Sequence, residues 1–243
     1  METVRVSREI VVLGGGCYGA YHAGQLLKAR SRGRLWCDRI LVIDHNPRCP
    51  AHRHLRGERA VAFVRAEWSE FLVEYVPQAP LDAQLVPAPL APHVLADWLE
   101  GTLRRTFPHV RIERAPLAGP LHLPYDVVDA RGNRYLSHAA WVCPSTCIEP
   151  EICPAIRGPR DWDLGKTVAR RAEVPLVLFR CLHFVYGVGT IPIATLVQAL
   201  DEVARPLRAR GEAAFGVVTA SHCHGVATLL RLTVPTSPEG RMR

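Results

Sequence analysis

Lysine is almost missing from this chain. Of its 30 basic residues only Lys28 and Lys166 are lysines, so a formal net charge of +7 is carried by arginine. The arginines are scattered and are not interleaved with aromatics in a tract, which argues against a nucleic-acid-binding surface. They fit a solvated basic face, or one that meets an anionic ligand or an acidic partner. Long apolar runs are also lacking. The most apolar late stretch, residues 174–189, is interrupted by Arg180 and His183, which excludes it as a membrane span. The N-terminal residues show neither the h-region nor the small-residue cleavage site of a signal peptide. The expectation is a soluble, cytoplasmic protein with no membrane partner. Walker-type lysine loops, H-E-x-x-H and a Ser-His-Asp order are all absent, which removes those catalytic routes. What is present is a core-forming composition, 48% apolar and 22% charged over 243 residues. That suffices for one large or two small domains.

Apolar patterning places buried strands at residues 9–14 and 39–44, with a helix over about 20–30 between them. Residues 45–58 read as an irregular loop and 60–64 as a third strand. The stretch 76–93 holds five prolines and predicts no regular element. A helix follows over 93–106, then strands at 109–114, 125–130 and 135–143, the last two joined by a tight turn at 130–133. The first domain is expected to close near residue 150. Beyond it come a strand at 176–186, a helix at 195–205 that Pro206 ends or kinks, a turn at Gly211, and strands at 213–220 and 225–234.

Gly14-Gly15-Gly16-Cys17-Tyr18-Gly19 satisfies G-x-G-x-x-G between the first strand and the first helix. In such a turn Gly14 permits the tight bend, Gly16 lets backbone approach a pyrophosphate, and Gly19 lets helix and strand pack closely. Backbone N–H groups around Cys17 and Tyr18 then face the phosphates with the helix dipole behind them. Asp44 ends the next strand 25 residues after Gly19, and its carboxylate is placed to accept from an adenosine ribose. Over residues 8–46 this pattern resembles the N-terminal half of an NAD(P)/FAD-binding Rossmann domain. A fainter likeness, through Asp129-Ala130-Arg131-Gly132 and the strand after it, is to two-dinucleotide-binding flavoproteins. The resemblance implies an α/β fold: a Rossmann-like nucleotide-binding domain over 1–150 and a smaller α/β (α+β) domain over 160–243. It also implies a dinucleotide, NAD(P) or FAD, at Gly14, Gly16, Gly19, Cys17, Tyr18 and Asp44.

Cys143, Cys147 and Cys153 fall on a proline-broken loop after a strand, where open α/β sheets place ligands. Thiolates suit zinc or an iron–sulfur cluster, although C-x3-C-x5-C is neither the common zinc spacing nor the ferredoxin run. Cys181 is the candidate fourth ligand. Redox thiols and plain packing are the other readings of these residues. Cys181 and His183 should share one face of a strand, and His222, Cys223 and His224 end the next. His222, His224 and His183 are therefore candidate acid–base groups. Cys17 and Cys37 read as small buried hydrophobes. Cys49, His52 and His54 form a further possible cluster, with the histidines on a solvated or anion-facing surface. Glu149 and Glu151 read either as acid–base groups or as solvent-facing charges, the latter preferred.

These features point to a nucleotide-dependent redox protein or oxidoreductase subunit with a cysteine-held metal or cluster. A non-enzymatic nucleotide-sensing or assembly module with structural zinc, docked to a protein partner or a second copy, is the alternative. A metal-free dehydrogenase using His222 or His224 is a third class.

Overall fold

The computed structural model describes residues 3–144 and 147–235. The chain begins β1 (Arg5–Val6), β2 (Glu9–Leu13), α1 (Cys17–Ser31), β3 (Leu35–Trp36) and β4 (Arg39–Ile43). It continues through α2 (Pro50–Leu55), β5 (Val61–Val64), α3 (Trp68–Tyr75), a 3-10 turn (Val76–Gln78), β6 (Gln84–Val86) and α4 (Val94–Thr106). Then come β7 (Arg111–Ala115), β8 (Tyr125–Val128), β9 (Arg134–Ser137), the short pair β10 (Ile152–Cys153) and β11 (Gly158–Pro159), and α5 (Leu164–Ala169). The last elements are β12 (Leu176–Arg180), β13 (Leu182–Val185), β14 (Val188–Pro192), α6 (Ile193–Arg210), β15 (Glu212–Ala220) and β16 (His224–Thr233). The fold is mixed α/β, with six α-helices and two six-stranded sheets among the described residues.

The first large sheet runs β13-β14-β6-β2-β4-β5, and its β6, β2, β4 and β5 are parallel. All five residues of β2 are buried, as a strand covered on both faces requires. Ile10 and Val12 join Ala23 and Leu26 of α1. Val11 and Leu13 face the other way, into a core with Trp98 and Leu99 of α4. The second sheet runs β12-β15-β16-β9-β8, with β7 also paired to β16. Helices α3, α4 and α6 lie between the sheets, since one cluster unites Leu72, Trp98 and Leu196 with Leu41 of the first sheet and Val217 of the second. Helix α5 covers the far face of the second sheet through Leu164 and Val168. Strands from both sides of residue 150 meet in each large sheet: β14 pairs with β6, and β7 and β9 pair with β16.

Several local expectations need correction. Gln84–Val86, inside the proline-dense stretch, is a strand, because three residues free of proline suffice to pair with β2. The loop 45–58 contains α2, started by Pro50 at its first position. The strand expected at 176–186 is two strands broken at Cys181; β12 stays with β15 while β13 crosses to β14. Tyr186 and Gly187, both with positive φ (47° and 77°), turn β13 into β14. A Tyr-Gly pair lacks the usual hairpin signal. Helix α6 runs through Pro206 to Arg210, because Val203, Ala204 and Leu207 are buried around the proline. Gly211, φ 74°, caps it by donating its N–H to Leu207 O, as left-handed C-caps do.

Candidate functional site

The glycine turn leaves β2 where Gly14 donates its N–H to Ile43 O at 2.8 Å. Gly14 has φ 87°, and the Trp68 ring lies 3.0 Å from where a Cβ would sit. A Cβ on Gly19 would lie 1.7 Å from Gly14 O, so only glycine allows α1 to approach the turn this closely. Gly16 is different: a Cβ there would meet nothing within 4 Å. It is the N-cap of α1, no side chain caps it, and the first turn holds no acid. Cys17 and Tyr18 at that helix start are exposed, so Cys17 is not the buried hydrophobe its type suggested. Cys37 is buried.

Asp44 braces the turn. Gly15 donates its N–H to Asp44 Oδ2 at 2.6 Å, and Asn46 donates to Oδ1 at 2.7 Å. Cys49 is buried against Gly15, and Ala51 donates its N–H to Gly15 O. A cavity of about 180 Å³ opens beside Asp44 at the carboxyl ends of β4 and β5, walled by Asn46, His52, Phe63 and Arg65. His52 stands edge-on to Phe63, with ring centroids 4.8 Å apart, while His54 is exposed.

A larger cavity, about 540 Å³, lies at the carboxyl end of β6, where Val86 and Pro87 form part of its wall. His22 enters it from α1, His183 and Gly189 from the β13–β14 hairpin, and His224 from β16. His22 shares the buried stripe of α1 with Gly19, Ala23 and Leu26, a spacing at which a polar residue signals a site rather than a core. Cys143, Cys147, Cys181 and Cys223 also reach this wall. Cys153 is instead buried on β10, paired with Gly158. Among the described residues no three His, Cys, Asp or Glu side chains are gathered as a metal would need. Burial pushes the Cys181 and Cys223 thiols up to about 12 and raises Cys143. These thiols therefore stay protonated at neutral pH.

Glu149 is not a solvent-facing charge. Its carboxylate holds the β15–β16 turn, accepting from Ser221 Oγ at 2.6 Å and from the N–H groups of His222 and Cys223 at 2.9 and 3.0 Å. Burial opposes its ionisation, but these donors win and its carboxyl sits below the ordinary value. Arg160 holds the same loop by donating to the Glu149 and Pro150 carbonyls. Glu151 is exposed. His222 is absorbed by this network, with Nδ1 2.9 Å from Glu149 and Nε2 3.9 Å from Asp163. Asp163 pairs with Arg180 and caps α5. The Arg180 hydrogen bonds hold its carboxyl down at about 2. Of the three candidate histidines, His183 and His224 share the cavity, whereas His222 lies behind its wall.

Both cavity histidines are held by partners that fix their roles. Gly187 donates its N–H to His183 Nε2 at 3.2 Å, which places the proton of a neutral ring on Nδ1. His224 Nδ1 lies 2.9 Å from Ser137 Oγ. That hydroxyl accepts from Ala139 N at 2.8 Å and donates to Ala139 O at 3.1 Å. With that proton given to Ala139 O, His224 donates from Nδ1 and keeps its lone pair on Nε2. Burial lowers both histidines below the usual imidazole value, so both are neutral at pH 7.

Comparison with known proteins adds one family. Residues 95–233, from α4 to the end of β16, match the family model AF_1314_C, described as "Uncharacterized protein, C-terminal domain". No curated protein and no solved structure matches the chain. The matched stretch contains His183, His224 and Glu149 and stops short of the glycine turn. It spans more than half of the 243 residues, and the chain therefore belongs to the AF_1314_C family.

Proposed function

We propose that this protein binds a dinucleotide, NAD(P) or FAD, at the turn 14–19 and acts as a redox protein or oxidoreductase subunit. The observation that carries the reading is the contrast between two glycines. Gly19 is required by the protein's own packing, whereas Gly16 opens onto space at an uncapped helix N-terminus. An uncapped, acid-free helix start favours phosphate. The strand order supports the same reading. From β2 the chain moves outward through β4 to β5, then returns to put β6 on the other side of β2. Ligands of open parallel sheets bind at that reversal, outside the carboxyl ends of the strands.

The residues fit such a cofactor along its length. The 180 Å³ cavity beside Asp44 suits an adenosine, the glycine turn the pyrophosphate, and the 540 Å³ cavity the redox ring and its substrate. His22 follows Cys17 by five residues on α1, about 7.5 Å along the helix, so the turn and the large cavity lie within one cofactor's span. Both oxygens of Asp44 already accept a backbone N–H, so it braces the turn first and meets the ribose with its remaining lone pairs. Its charge disfavours a 2′-phosphate, which ranks NAD and FAD above NADP. When bound, the cofactor would supply the hydride or electron chemistry; the chain supplies position and a partly dry cavity.

The test is an absorbance spectrum of protein purified without added cofactor, followed by titration with NADH and FAD, read by tryptophan quenching. Flavin bands on purification, or saturable quenching by either cofactor at micromolar concentration, are expected. A protein that is colourless and unquenched by both contradicts the reading.

A further inference from the structure

We propose that His183 and His224 form a donor–acceptor pair that reads the amide edge of the cofactor's redox ring, a C=O beside an N–H. This deepens the dinucleotide reading and rests on it. The pair lies in the 540 Å³ cavity, beside His22 of the helix that starts at the glycine turn. The bonds from Gly187 and to Ser137 leave one N–H, on His183 Nδ1, and one lone pair, on His224 Nε2, with no partner among the described residues. A C=O accepts from the first, and the adjacent N–H donates to the second.

The rest of the wall disfavours an anionic ligand. Among the described residues no arginine or lysine lines the cavity, so a carboxylate or phosphate finds no counter-charge from them. Its one carboxylate, Glu149, is occupied by Ser221, His222 and Cys223. Cys181 and Cys223 are neutral thiols, and Pro87 and Trp141 add apolar surface suited to the face of a flat ring. A nicotinamide carboxamide and a flavin imide present the same C=O and N–H, so both are candidates for the pair. Both histidines belong to the family-matched stretch, whereas the glycine turn does not. In this arrangement the N-terminal unit holds the phosphates, and the family region selects the ring.

Binding to the full-length protein is measured by calorimetry with ADP-ribose, NAD+, its 3-acetylpyridine analogue, FAD and N3-methyl-FAD. ADP-ribose probes the glycine turn alone. The parent cofactor is expected to bind at least about tenfold more tightly than ADP-ribose, and the analogue lacking the N–H to lose about tenfold. Loss on the acetylpyridine analogue identifies nicotinamide; loss on the methylated flavin identifies flavin. His224→Leu should bind parent and analogue alike, and ADP-ribose as the wild type does. Equal binding of parent and analogue by the wild type for both cofactors overturns the inference. So does ADP-ribose binding that neither redox ring improves. Failure of ADP-ribose, NAD+ and FAD together overturns the dinucleotide reading instead.

Discussion

The glycine turn is made by six consecutive residues braced by one aspartate, whereas the large cavity draws on α1, β6, the β13–β14 hairpin, residues within 137–144 and 147–149, and the β15–β16 turn. In the turn, Gly14, Gly15 and Gly19 each have a packing neighbour that requires glycine, while Gly16 opens onto space. In the cavity, bridging polar groups draw on other elements: His224 is held by Ser137, and the 221–223 turn by Glu149. The first region is local chemistry on a buried strand. The second is tertiary assembly, with polar groups satisfied across long sequence separations. The turn tolerates little change at Gly14 and Gly19, while the cavity depends on a few bridging side chains.

The largest effect should come from Gly19→Ala. Its Cβ would overlap Gly14 O, and helix α1 must move away from β2, at a cost of about 3 kcal/mol or more. Urea denaturation would show it; a wild-type midpoint would mean that the turn is looser than described.

Next, Glu149→Gln should cost about 2 kcal/mol, because three donors lose a charged acceptor in a half-buried turn. It should leave ADP-ribose binding intact, separating the two regions. The same carboxylates set the acid response. In the fold, Glu149 and Asp163 both titrate below their unfolded values. Their ionisation therefore stabilises the protein at and above neutral pH, and that contribution fades as pH falls through their folded values. For Asp163 the window runs from the ordinary 3.8 down to about 2. Thermal melts across acidic pH should show this loss, blunted in Glu149→Gln.

A smaller and more selective effect is expected from Gly16→Val. Gly16 has φ −65°, which any residue adopts, and open space above it. Valine is a poorer N-cap than glycine, so stability should fall by no more than about 1 kcal/mol, while dinucleotide affinity drops about tenfold or more as the side chain meets the phosphates. Smallest of all, Cys17→Ser at an exposed position should change stability by less than about 0.5 kcal/mol in the same urea assay. A larger change would mean that Cys17 packs against something after all.

Legibility in the sequence follows the same division. The strand–turn–helix–strand run to Asp44 could be read because it is a continuous apolar strand, a glycine hexapeptide and an acid in order. The mixed α/β character and most strands after residue 109 were legible from patterning. Three residues between prolines gave no sign of β6, yet β6 puts Pro87 at the cavity. One apolar run over 176–186 hid the crossing at Cys181, since periodicity cannot report which sheet a strand joins. Glu149 looked like one acid among prolines; only its four partners in the 221–223 turn reveal its place. His22 carried a usable signal, a histidine on the buried stripe of α1.

The most direct test of the central claim is calorimetric titration of ADP-ribose into the wild type and Gly16→Val, with the melting temperature of each measured alongside. The account predicts saturable binding by the wild type, at least about tenfold weaker binding by the variant, and melting temperatures within about 4 °C of each other. Equal affinities in two equally stable proteins, or no binding by the wild type, would contradict it.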